Sequence, residues 1–227
     1  MPSPIYLSEE DHARITAAVG EAEMRSSGEI VTVLAERSDG YTDVALAWSA
    51  VVAFLALAAL VFAPGFYMGL YDRLLASWGH EWTPRMIIGL AGGVAAIKFG
   101  AMLALQLWQP LRFWLVPGPV KTMRVHTHAL RAFRIGAEQR TTGRTGVLIY
   151  LSMREHRAEI VADKAIAAKV DPEIWGHVMA AMLAHVGDER VADGMVVAVG
   201  KVGDILSEHF PRADDDVNEL PDRIIEV

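Results

Sequence analysis

The chain has 227 residues with 22 % charged side chains, yet its mean hydropathy is positive, so charge and apolar residues are unevenly spread. Only Asp72, Arg73, Glu81, Arg85, Lys98 and Arg112 are charged between Val44 and Val120, which leaves 17 basic and 26 acidic side chains on the other 150 residues. That acidic balance excludes a nucleic-acid partner as the expected ligand, because phosphate binding needs a cationic surface. The absence of cysteine excludes disulfides, thiolate metal sites and a cysteine nucleophile.

Ser8, with Asp11 three residues on, resembles a capping box that opens a helix over 9–26, with Ile15, Val19 and Ala22 on its apolar side. Ser27-Gly28 ends it, and the β-branched run EIVTVLAE (29–36) predicts a strand. Residues 1–43 lack a basic n-region and an apolar h-region, so the first apolar run is expected to stay as an anchor rather than to be cleaved.

Residues 44–63 supply an uncharged helix of about 30 Å, the thickness of a bilayer's hydrocarbon core. Pro64-Gly65 breaks it, and Trp48, Phe66, Tyr67 and Tyr71 suit the membrane interface. A second span is expected over 86–108. Gly89, Gly93 and Gly100 give it a small-residue face for packing against another helix, whether a membrane-protein partner or a second copy. Lys98 near its middle costs about 2.5–3.5 kcal/mol on insertion scales. It reads either as a snorkelling or packing residue or as an ion or proton site; neither span offers a carboxylate to pair with it. After the second span come Arg112, Lys121, Arg124, Arg131, Arg134, Arg140 and Arg144 against the single acid Glu138. The positive-inside rule therefore places both polar parts, and both termini, in the cytoplasm.

Pro117-Gly118-Pro119 marks a linker, and 120–139 predicts a helix with Val120, Met123, Leu130 and Phe133 on one side. TTGRTG (141–146) is a turn; GVLIYLS (146–152) and RAEIVAD (157–163) read as strands joined by the MREH turn. Asp171-Pro172 starts a helix to about Val186, and 189–209 forms another through Val196, Val199, Val202 and Leu206. The expected architecture is a small α/β sandwich interrupted by a two-helix transmembrane hairpin. Its parts are 1–43, the hairpin at 44–116, 117–210, and an acidic, partly extended tail at 211–227. A helix and strand of some 43 residues cannot bury enough surface alone, so the first part needs the third.

Catalytic signatures such as G-x-S-x-G, the P-loop and G-x-G-x-x-G are absent. His126 and His128 point to different faces of a helix, Glu173 and His177 share a face as a surface pair, and His185 reads as a core histidine.

EIVTVLAE after a helix, GRTGVLIYLSMREHRAEIVADKAI, the helix bearing Trp175, Gly187-Asp188 and NELPD (218–222) together resemble the TPM domain family. The resemblance covers about 8–43 and 120–227, and is greatest to bacterial membrane members whose domain is split by a hydrophobic segment, which implies a bacterial inner membrane. It implies a metal-binding domain, some relatives being acid phosphatases, with ligands at loop positions. On this chain Asp163, Asp188 and Asp193 carry over as ligands for Ca²⁺ or Mg²⁺, hard cations that gather oxygen ligands. Many phosphatase-like relatives carry an Asp-Asn-Gly turn where this chain has Arg144-Thr145-Gly146, so an acid is replaced by a cation. Arg144 thereby becomes a candidate contact for an anionic group or the membrane surface. Two functions follow: a membrane-anchored binding or assembly module, or a metal-dependent phosphatase acting on a phosphomonoester.

Overall fold

The computed structural model describes residues 7–74, 82–136, 145–213, 220 and 222–227. The chain divides into two compact units, one formed by Met1–Asp39 with Gly118–Val227 and the other by Gly40–Pro117.

In the first unit the expected capping box is present. Ser8 Oγ accepts the Asp11 N–H at 3.1 Å and Asp11 Oδ2 accepts the Ser8 N–H at 3.1 Å, opening helix α1 (Glu9–Glu23). Strand β1 (Glu29–Ala35) follows, buried along its whole length. Beyond the inserted unit, helix α6 (Gly118–Gly136) leads to β2 (Gly146–Ser152) and β3 (Arg157–Ala162). A single turn α7 (Lys164–Ala167) precedes α8 (Pro172–Gly187) and α9 (Val191–His209). The tail contributes β4 (Ile225–Glu226), an edge strand beside β1 that agrees with a partly extended tail. The sheet order is β3-β2-β1-β4; β1 is parallel to β2 and β4, and β2 is antiparallel to β3.

Both faces of the sheet are covered, so β1 and β2 read as continuous apolar runs rather than alternating ones. Ile30, Leu34, Val147, Ile149 and Leu151 point to α1, α8 and α9, where Ile15, Val19, Met182, Met195 and Val202 close the larger core. On the opposite face Val31, Val33, Leu148, Tyr150 and Val161 meet Val125, Ala129 and Phe133 of α6. The helix buries part of the expected Val120–Met123–Leu130–Phe133 side, with Phe133 in the core and Leu130 packed against it, but the face is rotated toward Val125 and Ala129. Fully buried Ala129 lets the backbone approach the sheet, and Met123 is left 57 % exposed.

α1 and α9 run parallel, tied by ion pairs Arg14–Asp193 and Arg25–Asp204. Their approach is set by Gly203, where a Cβ would stand 2.6 Å from that of Ala22.

In the second unit, α2 (Thr42–Phe62) and α4 (Pro84–Leu105) pack antiparallel, and both are long and apolar enough to cross a membrane. Two helices not expected from the sequence flank them: α3 (Pro64–Leu74), since Pro64 ends one helix but occupies the first position of the next, and α5 (Gln109–Leu115), with Pro110 in its first turn. A polar clasp joins one end of the pair. Gln106 Nε2, almost fully buried, donates to Ala45 O at 3.0 Å and lies 3.4 Å from Ser49 Oγ. Trp48 Nε1 donates to Leu115 O at 3.0 Å, and Arg112 donates to Thr42 Oγ1 at 3.1 Å.

Two glycines of α9 give substitutions of opposite sign. Gly203→Val lowers stability by about 1–3 kcal/mol through overpacking against Ala22. Gly200→Ala, where a Cβ meets nothing within 4 Å, raises it by about 0.5–1 kcal/mol. Thermal unfolding of the two variants beside the parent chain measures both.

Candidate functional site

Asp163 holds the sheet together rather than projecting from a loop. It is buried; its N–H donates to Gly146 O at 2.9 Å, and its Oδ2 accepts the Gly146 N–H at 3.0 Å. The β2–β3 ladder is therefore extended by one step beyond Ala162, and the carboxylate satisfies a buried donor that would otherwise be orphaned.

Asp188 caps the C-terminus of α8 and is exposed, with Oδ2 3.1 Å from Arg190 Nη2. Asp193 sits in the first turn of α9 between two guanidiniums, Arg14 and, at 3.6 Å, Arg190. The hydrogen bond from Arg14 chiefly holds the Asp193 carboxyl below the ordinary aspartate range. A lowered pKa means the pair supports the fold at neutral pH. That contribution is lost as the pH falls through the lowered value.

Asp163 does not meet the other two. Gly146 pairs with Glu29, so Asp163 lies where β1 begins; the Ser27 N–H donates to Phe210 O at 3.0 Å, so α9 ends there too. Asp193, at the start of α9, is about 24 Å away along the helix axis at 1.5 Å per residue. The expected convergence of loops fails because α9 runs the length of the domain between them. Asp163, Asp188 and Asp193 do not fit one Ca²⁺ or Mg²⁺ site. Among the described residues, no group of three or more acids or histidines stands in position to hold a metal ion.

A different set of acids surrounds an open cleft of about 460 Å³ beside α1. Glu21, Glu23, Glu29 and Asp222 line it with one guanidinium, Arg212. Glu23 Oε1 accepts the Ile30 N–H at 2.8 Å, and Glu29 Oε2 accepts the Leu220 N–H at 3.2 Å. These carboxylates stitch the α1–β1 turn and the chain's tail together while leaving the cleft negative. Sequence reading passed over it. The available signal was an acid at each end of the short α1–β1 connection, plus Asp222 in the NELPD segment.

At the other end of the sheet lies a buried hydroxyl–carboxylate network. Ser38 Oγ is 3.1 Å from Tyr150 Oη and donates to Ser152 Oγ at 3.0 Å, while the Ser38 N–H donates to Glu155 Oε1 at 3.1 Å. Ser152 Oγ donates to Glu155 Oε2 at 2.5 Å. Burial, the largest cause, pushes the Tyr150 hydroxyl above its ordinary pKa, so it stays protonated and able to donate. All four side chains are sealed from solvent, so the network holds structure rather than substrate. The same turn secures the start of the insertion. The Arg154 N–H donates to Glu36 O at 3.0 Å, and the two side chains pair at 3.2 Å.

In α4, a Cβ at Gly89, Gly93 or Gly100 would meet nothing within 4 Å, so α2 does not occupy the glycine face. Lys98 is exposed on the other side of the helix, two residues amounting to about 200° of rotation from Gly100. His126 Nδ1 bonds Glu159 Oε1 at 2.8 Å, and half-buried His185 bonds Ala181 O at 3.0 Å. Arg144 lies outside the described residues.

Asp163→Ala separates a structural from a ligand role. It leaves the Gly146 N–H unpaired and lowers stability by about 1–3 kcal/mol. Thermal unfolding with and without Ca²⁺ or Mg²⁺ is expected to give the same loss in both. A loss confined to the cation-containing samples would make Asp163 a ligand.

No family model matches the chain, and no curated relative matches it. Its fold is similar to the NMR structure of BA42 protein from the psychrophilic bacterium Bizionia argentinensis sp. nov., with a TM-score of 0.56 and 18 % identity, covering 99 % of this chain and 97 % of that one. At that identity the likeness shows a shared α/β fold and no more.

Proposed function

We propose that this chain is an integral membrane protein of the TPM-like type, in which α2 and α4 form a transmembrane hairpin that anchors an α/β binding or assembly module. The observation that carries the reading is the exposed apolar surface of the two helices. Phe54, Leu55, Val61, Phe62, Ile88 and Ile97 are each 64–88 % exposed, and α4 contributes no buried residue. A patch of that extent does not stand in water on a soluble domain, whereas a core helix would bury it. Lipid acyl chains solvate it at no such penalty, and helices of 21 and 22 residues reach about 32 Å.

Parallel pairing of β1 with β2 supports the topology, because strands joined in one sheet lie in the same solvent and an even number of crossings must separate them. The basic residues after α4 favour the cytoplasmic side for that domain. The open glycine face of α4 suits a transmembrane helix from a partner protein or a second copy. On the domain itself, the acid-lined cleft is a concave surface that suits a cationic group. The metal-dependent phosphatase alternative is the less supported of the two, since Asp163, Asp188 and Asp193 are apart.

Reporter fusions at residue 5, within 70–80 and at the C-terminus test the anchoring, with the expected pattern inside, outside, inside. Protein released from membranes by alkaline carbonate, or a reporter within 70–80 on the same side as both termini, would overturn it.

A further inference from the structure

We infer that the outer face of α6 is a docking surface for an anionic lipid bilayer, so that the domain rests on the membrane as well as hanging from it. The inference builds on the anchored reading above.

Three features of the helix point to lipid. First, Gly118–Gly136 contains Lys121, Arg124, Arg131 and Arg134 and no acid, although the polar parts of the chain carry a net charge of −9. A cationic helix on an acidic domain is a local feature with its own cause. Second, the basic residues share their side with apolar ones. Val125, Ala129 and Phe133 face the sheet, and the opposite stripe runs Met123, Thr127, Arg131, Arg134 at helical spacing, with Ile135 beside it. Met123 is 57 % and Ile135 76 % exposed. Apolar groups among cations on an otherwise solvated face are the pattern of a helix lying in the headgroup region. Third, α6 follows α5 after Val116 and Pro117 alone, so its first turn is tethered within a few residues of the hairpin.

Part of the helix's charge is paired within the domain. Arg124 pairs with Asp39 at 3.2 Å and His126 with Glu159 at 2.8 Å, both at the flank of the stripe. Arg131 and Arg134 lie further along the outer side. Bilayer phosphates supply the complementary charge, at roughly fivefold in association per basic residue brought to the surface. Met123 and Ile135 would add burial at the boundary of the acyl region.

The absence of native cysteine makes the test direct. The full chain carrying Met123→Cys, labelled with an environment-sensitive fluorophore, is reconstituted in nanodiscs of phosphatidylcholine alone or mixed with phosphatidylglycerol. Glu208→Cys on α9 serves as the control position. In anionic nanodiscs the label at 123 is expected to shift to the blue and to be quenched by lipid-borne quenchers, and the label at 208 to remain accessible to iodide. Adding Arg131→Gln and Arg134→Gln should reverse the shift. A label at 123 that is equally open to iodide in both lipids, in protein that co-elutes with nanodiscs, would overturn the docking surface and leave the anchor intact. Failure to co-elute with nanodiscs at all would overturn both.

Discussion

The pairing of β1 with β2 is the contact on which the molecule depends. Seven residues on each side, Glu29 to Ala35 against Gly146 to Ser152, form a parallel ladder between segments more than a hundred residues apart in sequence. Parallel strands require a crossover connection, and here the connection contains an entire second unit. The ladder forces the chain to leave the sheet at one end of β1 and to come back to the other end for β2. The turn between β2 and β3 then grips the departing segment through Glu155, Ser38, Arg154 and Glu36. Gly118, where the chain re-enters the domain, lies 4.0 Å from the Arg157 guanidinium, measured from the site of a Cβ on the glycine. Exit and return are close neighbours, which is why an insertion of this size can be carried without opening the sheet.

Much of the scaffold was legible in the sequence, because its signals are local. The Ser8–Asp11 box, the β-branched run after Gly28, the apolar run from Gly146 and the Asp171-Pro172 start each need only a few adjacent residues to be decoded. Elements whose reason lies elsewhere in the molecule were not legible. β4 is two residues long and exists because β1 offers it an open edge. On α6 the expected side agrees at Leu130 and Phe133 but not at Met123, for a similar reason. Counting the largest apolar residues favours Met123, but the sheet beneath selects the small Ala129 and leaves the methionine outside.

The site followed the same division. Asp163 attracted attention as an acid at a strand end, and that position is why it is structural: a strand end leaves one backbone N–H of Gly146 unpaired, and the carboxylate fills it. Asp188 and Asp193 are likewise engaged, by arginines of their own neighbourhood. The acid-lined cleft was missed because its members are spread over α1, β1 and the tail, and only folding assembles them. In the hairpin, the Gly-xxx-Gly spacing was legible, but not that α2 would pack elsewhere and leave the glycine face open, with Lys98 turned to the other side.

The central claim is that the segments before and after the hairpin fold as one domain on one side of a membrane. Cross-linking of Arg25→Cys with Asp204→Cys in intact membranes tests it most directly. These exposed residues, one from each segment, form a 2.8 Å ion pair between α1 and α9, and the chain brings no cysteine of its own. Oxidation or a short bis-maleimide is predicted to join them within one molecule, and each single variant to be labelled by an impermeant thiol reagent from the same side only. Positions that label from opposite sides and never cross-link would contradict the account.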